Sequence, residues 1–131
     1  MPREVRVLVV EDNPHVARLI RDGLTGAARR QGGRVAFHFQ VAADGQAALD
    51  ALARGPVDLI FCDVYMPVMD GATFLTQLRA RGSPRVPVVA LSAGGAAARE
   101  AALQAGADAY LDKPIRLNDL LQAADRLLAA R

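Results

Sequence analysis

Five polar side chains in the sequence could act together in chemistry, and each of them lies within two residues of the end of a short apolar run. They are Glu11, Asp12, Asp63, Ser92 and Lys113. Three carboxylates brought together repel one another, and without a partner at least one pKa should rise. A hard divalent cation removes this conflict, and carboxylates with water suit Mg²⁺.

The same five side chains favour phosphoryl chemistry. An aspartate can attack a phosphoryl group to give an acyl phosphate, which is a form of covalent catalysis. Lys113 offers a compact positive charge for a phosphate, and Ser92 offers a hydroxyl donor. Lys113 is also the only lysine among the 16 Lys and Arg residues, so its place after an apolar run is informative.

These side chains can meet only if the fold brings the ends of the apolar runs together. Apolar runs and helical periodicities alternate along the chain, with Gly, Pro, Asn or Asp between them. The predicted strands are residues 5–10, 35–42, 57–62, 86–91 and 109–111, and strand two alternates through Phe37, Phe39 and Val41. The predicted helices run from Asn13-Pro14 to Gly32-Gly33, from Asp44 through Leu52, and over 71–81, 96–105 and 117–128.

Strict alternation of strands and helices predicts an α/β fold, a doubly wound five-stranded parallel sheet with helices on both faces. In the flavodoxin-like order 2-1-3-4-5, ligands bind beyond the carboxyl ends of the strands, beside the switch in strand order. Strand two ends only in Ala42 and Ala43. The polar groups therefore converge on one edge of the predicted sheet.

Length and composition are consistent with one such domain. The chain has 131 residues, of which 52% are hydrophobic, so one core can be buried and disorder is not expected. The single cysteine, Cys62, lies in an apolar run and is interpreted as a buried thiol. It can form neither an internal disulfide nor a metal site by itself.

The sequence predicts no membrane or nucleic-acid partner. Its N-terminal apolar run is too short for a signal peptide or a membrane span, so a cytoplasmic location is expected. The formal net charge is only +2. The cluster Arg29, Arg30 and Arg34 is interpreted as a solvated surface loop, with contact to an acidic partner as the alternative.

The five polar residues and their flanking motifs resemble the receiver domains of bacterial response regulators. The motifs are Glu11-Asp12, Asp63 within Asp-Val-Tyr-Met-Pro-Val-Met-Asp-Gly, Ser92-Ala93 after a Val-Pro-Val-Val strand, and Lys113-Pro114. The resemblance extends from Val5 to Leu128. Each motif alone is weak, but all of them in this order and spacing are specific.

The resemblance implies a role for each site residue. Asp63 is the expected phosphoacceptor. Asp12 and Asp63 would ligate Mg²⁺ directly, Glu11 through a water molecule, and Tyr65 through its backbone carbonyl. Lys113 would pair with the acceptor carboxylate and then with the phosphoryl group.

The resemblance also implies a switch. Ser92 would move toward the phosphoryl oxygen, and Tyr110 would change between exposed and inward positions. The Lys113-Pro114 bond is frequently cis in this family. The alternatives are that Ser92 only caps the next helix and that Tyr110 is an ordinary half-buried aromatic residue.

The expected function is a signalling switch phosphorylated by a sensor histidine kinase or a phosphotransfer protein. The output would pass to a protein partner through the face of helix four, strand five and helix five. Residues 1–131 are interpreted as a single receiver domain without an output domain, unless the chain is a piece of a longer protein. We expect a monomer before phosphorylation, and no enzymatic activity beyond self-phosphorylation and self-dephosphorylation.

Two other classes of function remain open at this point. A degenerate receiver would act as a phosphorylation-independent interaction domain, although the intact acidic set argues against it. A phosphatase similar to the haloacid dehalogenase superfamily would need a second Asp two residues after Asp63, where Tyr65 stands. Two departures from the receiver pattern are a long stretch from Thr25 to Arg34 and the pair Tyr65 and Gly94 at variable positions that tune phosphoryl lifetime.

Overall fold

The computed structural model describes residues 1–66, 68–82 and 85–130. Within them, strands and helices alternate as the apolar runs predict. The strands are β1 (Arg3–Val10), β2 (Val35–Ala42), β3 (Leu59–Asp63), β4 (Val88–Ser92) and β5 (Ala109–Asp112). The helices are α1 (Pro14–Arg30), α2 (Gly45–Arg54), α3 (Gly71–Ala80), α4 (Gly95–Ala105) and α5 (Leu117–Ala129).

The strands form one parallel sheet in the order β2-β1-β3-β4-β5. Strands β3 and β4 are buried along their whole length, because helices cover both faces of a doubly wound sheet. The predicted fold class and strand order are therefore confirmed. None of the helices in the described residues is long and apolar enough to cross a bilayer.

Successive side chains of β1 point to opposite faces of the sheet and enter two separate cores. Val5, Val7 and Val9 pack with residues of α1 and α5. Leu8 and Val10 pack with residues of α2 and α3 on the other face. Because β1 is held from both sides, the residues that follow it have a well-defined position at the sheet edge.

Three helices begin at residues whose side chains cap them. The Oδ1 atoms of Asn13, Asp44 and Asp70 accept backbone hydrogen bonds, at 2.9 Å from His15, 2.8 Å from Ala47 and 2.8 Å from Thr73. Each such cap stabilises a helix by about 1 kcal/mol. The caps lie in the loops after β1, β2 and β3, so they also set how the helices leave the edge that carries the polar residues.

The long stretch before β2 is accommodated by the helix. Helix α1 extends to Arg30, and the chain then turns through Gly32 and Gly33 with positive φ angles of 83° and 70°. Helix α4 ends as predicted, at Gly106 with a φ of 117°. The first part of the long stretch from Thr25 to Arg34 therefore belongs to α1.

Two predicted strands begin later than their apolar runs. Val57 precedes β3, which begins at Leu59. Just before β3, the Arg6 N–H donates to the Asp58 carboxylate at 2.8 Å and not to a backbone carbonyl of the strand. Val86 precedes β4, and its carbonyl accepts a hydrogen bond from Arg79 Nη1 at 2.6 Å. Both valines are buried, so the hydrophobic run extended beyond the hydrogen-bonded ladder.

The alternating residues of strand two differ in their exposure to solvent. Phe37 and Phe39 are half-buried, with ring centroids 5.9 Å apart. Val41 has the same parity but is 57% exposed. Because β2 is the outermost strand on its side of the sheet, its last apolar residue has neighbours on one side only.

We expect Val68→Gly to stabilise the protein by about 1 kcal/mol, because Val68 has a φ of 67° and is 85% exposed. A β-branched residue is strained in this region, whereas glycine is not. Urea unfolding should give a higher midpoint with an unchanged m-value. The control Val41→Gly, also at an exposed valine, should destabilise the protein because glycine weakens a strand. Equal effects at both positions would contradict the strain at Val68.

Candidate active site

The structure brings all five predicted polar residues to the carboxyl edge of the sheet. Glu11 and Asp12 follow β1, and Lys113 follows β5, while Asp63 and Ser92 are the last residues of β3 and β4. The Glu11 N–H donates to the Ala42 carbonyl at 2.9 Å, which continues the β1–β2 ladder to the site. Parallel strands of similar length end at one edge, so the predicted convergence is confirmed.

The Lys113 ammonium lies between two carboxylates. Its Nζ atom is 2.6 Å from Glu11 Oε1 and 3.1 Å from Asp63 Oδ2. Both carboxylates are buried, and the lysine side chain is mostly so. Lys113 therefore pairs with the expected acceptor, and its contact with Glu11 is shorter still.

Burial and pairing change the protonation of this group of side chains. Desolvation raises the pKa of Glu11 to about 7, although the Lys113 ammonium opposes the shift. Desolvation lowers the pKa of Lys113, but hydrogen bonds to Glu11 and Asp63 outweigh it and leave that pKa raised. Lys113 therefore stays charged at neutral pH, whereas Glu11 lies near its titration point.

Three carboxylates at the edge form a set that could hold a divalent cation. One oxygen each from Glu11, Asp12 and Asp63 lies within 4.8 Å of the others, and Asp12 is exposed to solvent. Hard oxygen donors of this kind fit Mg²⁺. The Tyr65 N–H donates to Asp63 Oδ1 at 3.2 Å, which orients the carboxylate. The role of the Tyr65 carbonyl as a metal ligand stays a prediction.

The two predicted switch residues meet at one backbone carbonyl. Tyr110 Oη donates to the Ser92 carbonyl at 3.1 Å, and the Lys113 N–H donates to the same oxygen at 2.9 Å. Partial burial raises the pKa of the Tyr110 phenol. The Lys113-Pro114 bond is cis, as the family resemblance implies. The N-cap residue of α4 is Gly94, whose N–H donates to Ser92 Oγ at 2.9 Å, so Ser92 is not the N-cap.

The sequence interpretation did not predict the close contacts that two glycines make at the site. A Cβ atom on Gly71 would lie 2.3 Å from the Asp63 carbonyl oxygen, and one on Gly94 would lie 3.0 Å from the Tyr65 ring. The Asp-Gly pair that ends the Asp63 motif was the available signal for Gly71. Pro67 of this motif lies outside the described residues.

Comparisons with known proteins agree with this geometry. Residues 7–125 match the family model "Response regulator receiver domain". The chain is 38% identical over 125 residues to the response regulator MprA of Mycolicibacterium vanbaalenii, covering 95% of this chain and 50% of that protein. The same identity and coverage are found for MprA of Mycobacterium tuberculosis. The chain thus spans about half the length of the curated relatives it matches.

Solved structures show the same fold. A putative response regulator from Chloroflexus aurantiacus superposes with a TM-score of 0.83 at 30% identity, over 97% of this chain and 99% of that one. The receiver domain of a Pseudomonas aeruginosa sensor histidine kinase gives 0.82 at 31% identity, over 96% and 98%. That structure has a magnesium ion coordinated in the active-site cleft.

The chain belongs to the receiver domain family of two-component response regulators. The family match covers both the strands and the edge at which the polar residues meet.

We expect Gly71→Ala to destabilise the protein by about 1–3 kcal/mol, the usual cost of overpacking. The added methyl group would collide with the backbone at Asp63 and Val64, and the neighbouring backbone can move only by displacing β3. Urea unfolding measures the change. The control Gly55→Ala has open space around the new methyl group and ordinary extended φ, so its unfolding free energy should hardly change. A neutral Gly71→Ala would contradict the close approach.

Glu11→Gln should make the unfolding free energy less dependent on pH. The folded-state pKa of Glu11 is about 7, above its ordinary value of 4.5. The Glu11 carboxyl therefore contributes to the free energy of unfolding in full below about pH 4.5, and this contribution is lost as pH rises through about 7. Urea unfolding in EDTA between about pH 5 and about pH 8 should show wild type losing stability relative to the variant. A constant difference across this range, or the same trend in the exposed control Glu100→Gln, would contradict the assignment.

Proposed function

We propose that this receiver domain is a phosphorylation switch that accepts a phosphoryl group on Asp63 from a sensor histidine kinase or a phosphotransfer protein. The observation that carries the proposal is the position of Lys113 Nζ between the Glu11 and Asp63 carboxylates, 2.6 Å and 3.1 Å away. A charge at this place can pair with the Asp63 carboxylate before transfer and with the phosphoryl group after it.

The transfer step uses the Asp63 carboxylate as the nucleophile. A carboxylate oxygen forms a bond to phosphorus as the bond between phosphorus and the donor imidazole nitrogen breaks. The imidazole leaves with the electron pair and takes up a proton from water. Hydrolysis later adds water to the acyl phosphate and restores the Asp63 carboxylate with release of inorganic phosphate. The chain thus phosphorylates and dephosphorylates itself and is not otherwise an enzyme.

Asp12, Asp63 and Glu11 would hold Mg²⁺, Glu11 through water, together with the Tyr65 carbonyl. When bound, the ion supplies positive charge that balances the phosphoryl oxygens. The carboxylate set and its oxygen donors support this assignment. The Tyr65 N–H keeps the Asp63 carboxylate oriented for attack.

The signal would leave the site through Ser92 and Tyr110. The Ser92 hydroxyl would turn toward the phosphoryl group, and Tyr110 would respond because its Oη atom bonds the Ser92 carbonyl. A downstream protein would read the face of α4, β5 and α5. A monomer before phosphorylation and a cytoplasmic location are parts of the same proposal.

Mass spectrometry of the intact protein tests the acceptor. After incubation with MgCl₂ and acetyl phosphate, wild type should gain the mass of one phosphoryl group. EDTA should abolish the gain, because the acidic set needs a cation to receive a dianionic group. Asp63→Asn should show no gain, and the matched control Asp125→Asn, at an exposed position of α5, should behave as wild type.

The same experiment separates the alternatives. A gain that persists in Asp63→Asn would show that another residue is phosphorylated. If wild type gains no mass and calorimetry detects no Mg²⁺ binding, the degenerate interaction domain replaces the switch.

A further inference from the structure

The outer edge of β2 carries backbone groups that can pair with another strand. The Arg34 and Ala42 carbonyls accept from the N–H groups of Arg3 and Glu11, at the two ends of the β1–β2 ladder. The backbone groups of the even-numbered residues of β2 therefore face β1. Because backbone groups alternate in direction along a strand, the N–H and C=O groups of Val35, Phe37, Phe39 and Val41 point away from the sheet. A free row of this kind is a template for strand addition.

The side chains beside this row form a small apolar groove with a basic rim. Phe39 and Val41 line it together with the first turns of α1, in a cavity of about 220 Å³. Arg18 and Arg21 of α1 border the groove and are exposed. Arg21 makes only a 3.5 Å contact with Asp22, which is itself exposed, so the rim keeps positive charge. Arg34 adds a further exposed positive charge where β2 begins.

We propose that the outer edge of β2 binds an extended acidic segment of another protein, which adds to the sheet as a further strand. Its backbone would pair with the outward groups of β2. On the face that carries α1, every second side chain of the segment would point into the groove. Apolar residues among these would cover Phe39 and Val41, and acidic residues among them would reach Arg18 and Arg21. This is strand addition, in which backbone bonds provide affinity and side chains provide specificity.

Electrostatics favours such a segment over a second copy of this chain. Antiparallel pairing of two β2 strands would oppose apolar residues well, since Val35 would face Val41 and Phe37 would face Phe39. The two-fold axis, however, would place both α1 helices on the same face of the joined sheet. The arginines of one helix would then lie beside those of the other, and like charges at such a contact disfavour association.

The probe for the experiment is a fluorescein-labelled Val-Thr-Glu-Thr-Val-Thr-Glu peptide, which carries valine and glutamate on one face of an extended strand and threonine on the other. The readout is fluorescence anisotropy with the unphosphorylated full chain. Binding should saturate and weaken with added NaCl, because the rim charges are exposed. Val41→Pro removes one outward N–H without touching the β1 ladder and should weaken binding about fivefold, the effect of one hydrogen bond. Arg18→Glu with Arg21→Glu should weaken it by at least about fivefold, whereas Arg126→Glu on α5 should not.

Changes to the peptide test the same contacts without relying on the folding of a variant. A peptide with lysine in place of glutamate, or one with all its backbone nitrogens methylated so that it cannot donate in either strand direction, should lose binding at least about fivefold. Equal binding of the lysine peptide would overturn the charge complementarity, and equal binding of the methylated peptide would overturn strand addition. Sedimentation equilibrium that shows a dimer dissociated by Val41→Pro would assign the edge to a second copy and overturn the proposal. Because Asp63 is unphosphorylated throughout, these outcomes are independent of the switch.

Discussion

The Lys113 ammonium between Glu11 and Asp63 is the interaction on which the carboxyl edge of the sheet depends. Parallel strands necessarily bring their ends together, and here the ends carry acids that the two cores bury. Removal of one partner of a buried ion pair leaves an uncompensated charge, which is more costly than loss of an exposed pair. The single lysine of the chain therefore makes the acidic edge compatible with a stable fold.

Lys113 also connects the buried Glu11 and Asp63 carboxylates to the backbone of β4. Its side chain reaches the carboxylates of β1 and β3, and its N–H holds the Ser92 carbonyl, which Tyr110 also uses. A change in charge at Asp63 acts on a residue that is already bonded to β4. Within the proposed switch, a local electrostatic change can thus bias the position of a half-buried aromatic side chain.

Periodicity predicted the strands and the site because both depend on side-chain types that the sequence displays directly, and the flavodoxin-like fold class supplied the strand order. Apolar runs distinguish buried parallel strands, and the residues that follow such strands lie at the same edge of the sheet. This reasoning predicted that Glu11, Asp63 and Lys113 lie close together. Strand limits at Val57 and Val86 could not be read in this way, since burial continues where the ladder stops. The exposure of Val41 depends on the number of strands that flank β2. The contact of Gly71 with Asp63 depends on distances between atoms in the folded chain. Neither quantity is encoded in a local pattern.

Lys113 and Glu11 are 102 positions apart in the chain, and Lys113 and Asp63 are 50 apart. Loop-closure entropy opposes such contacts until the intervening elements have formed. During synthesis the acidic edge therefore exists without its cation until the last strand has emerged and docked. The sheet and the ion pairs of Lys113 with Glu11 and Asp63 are therefore completed in the same step. A chain interrupted before β5 retains both acids but lacks the Lys113 ammonium that compensates their burial.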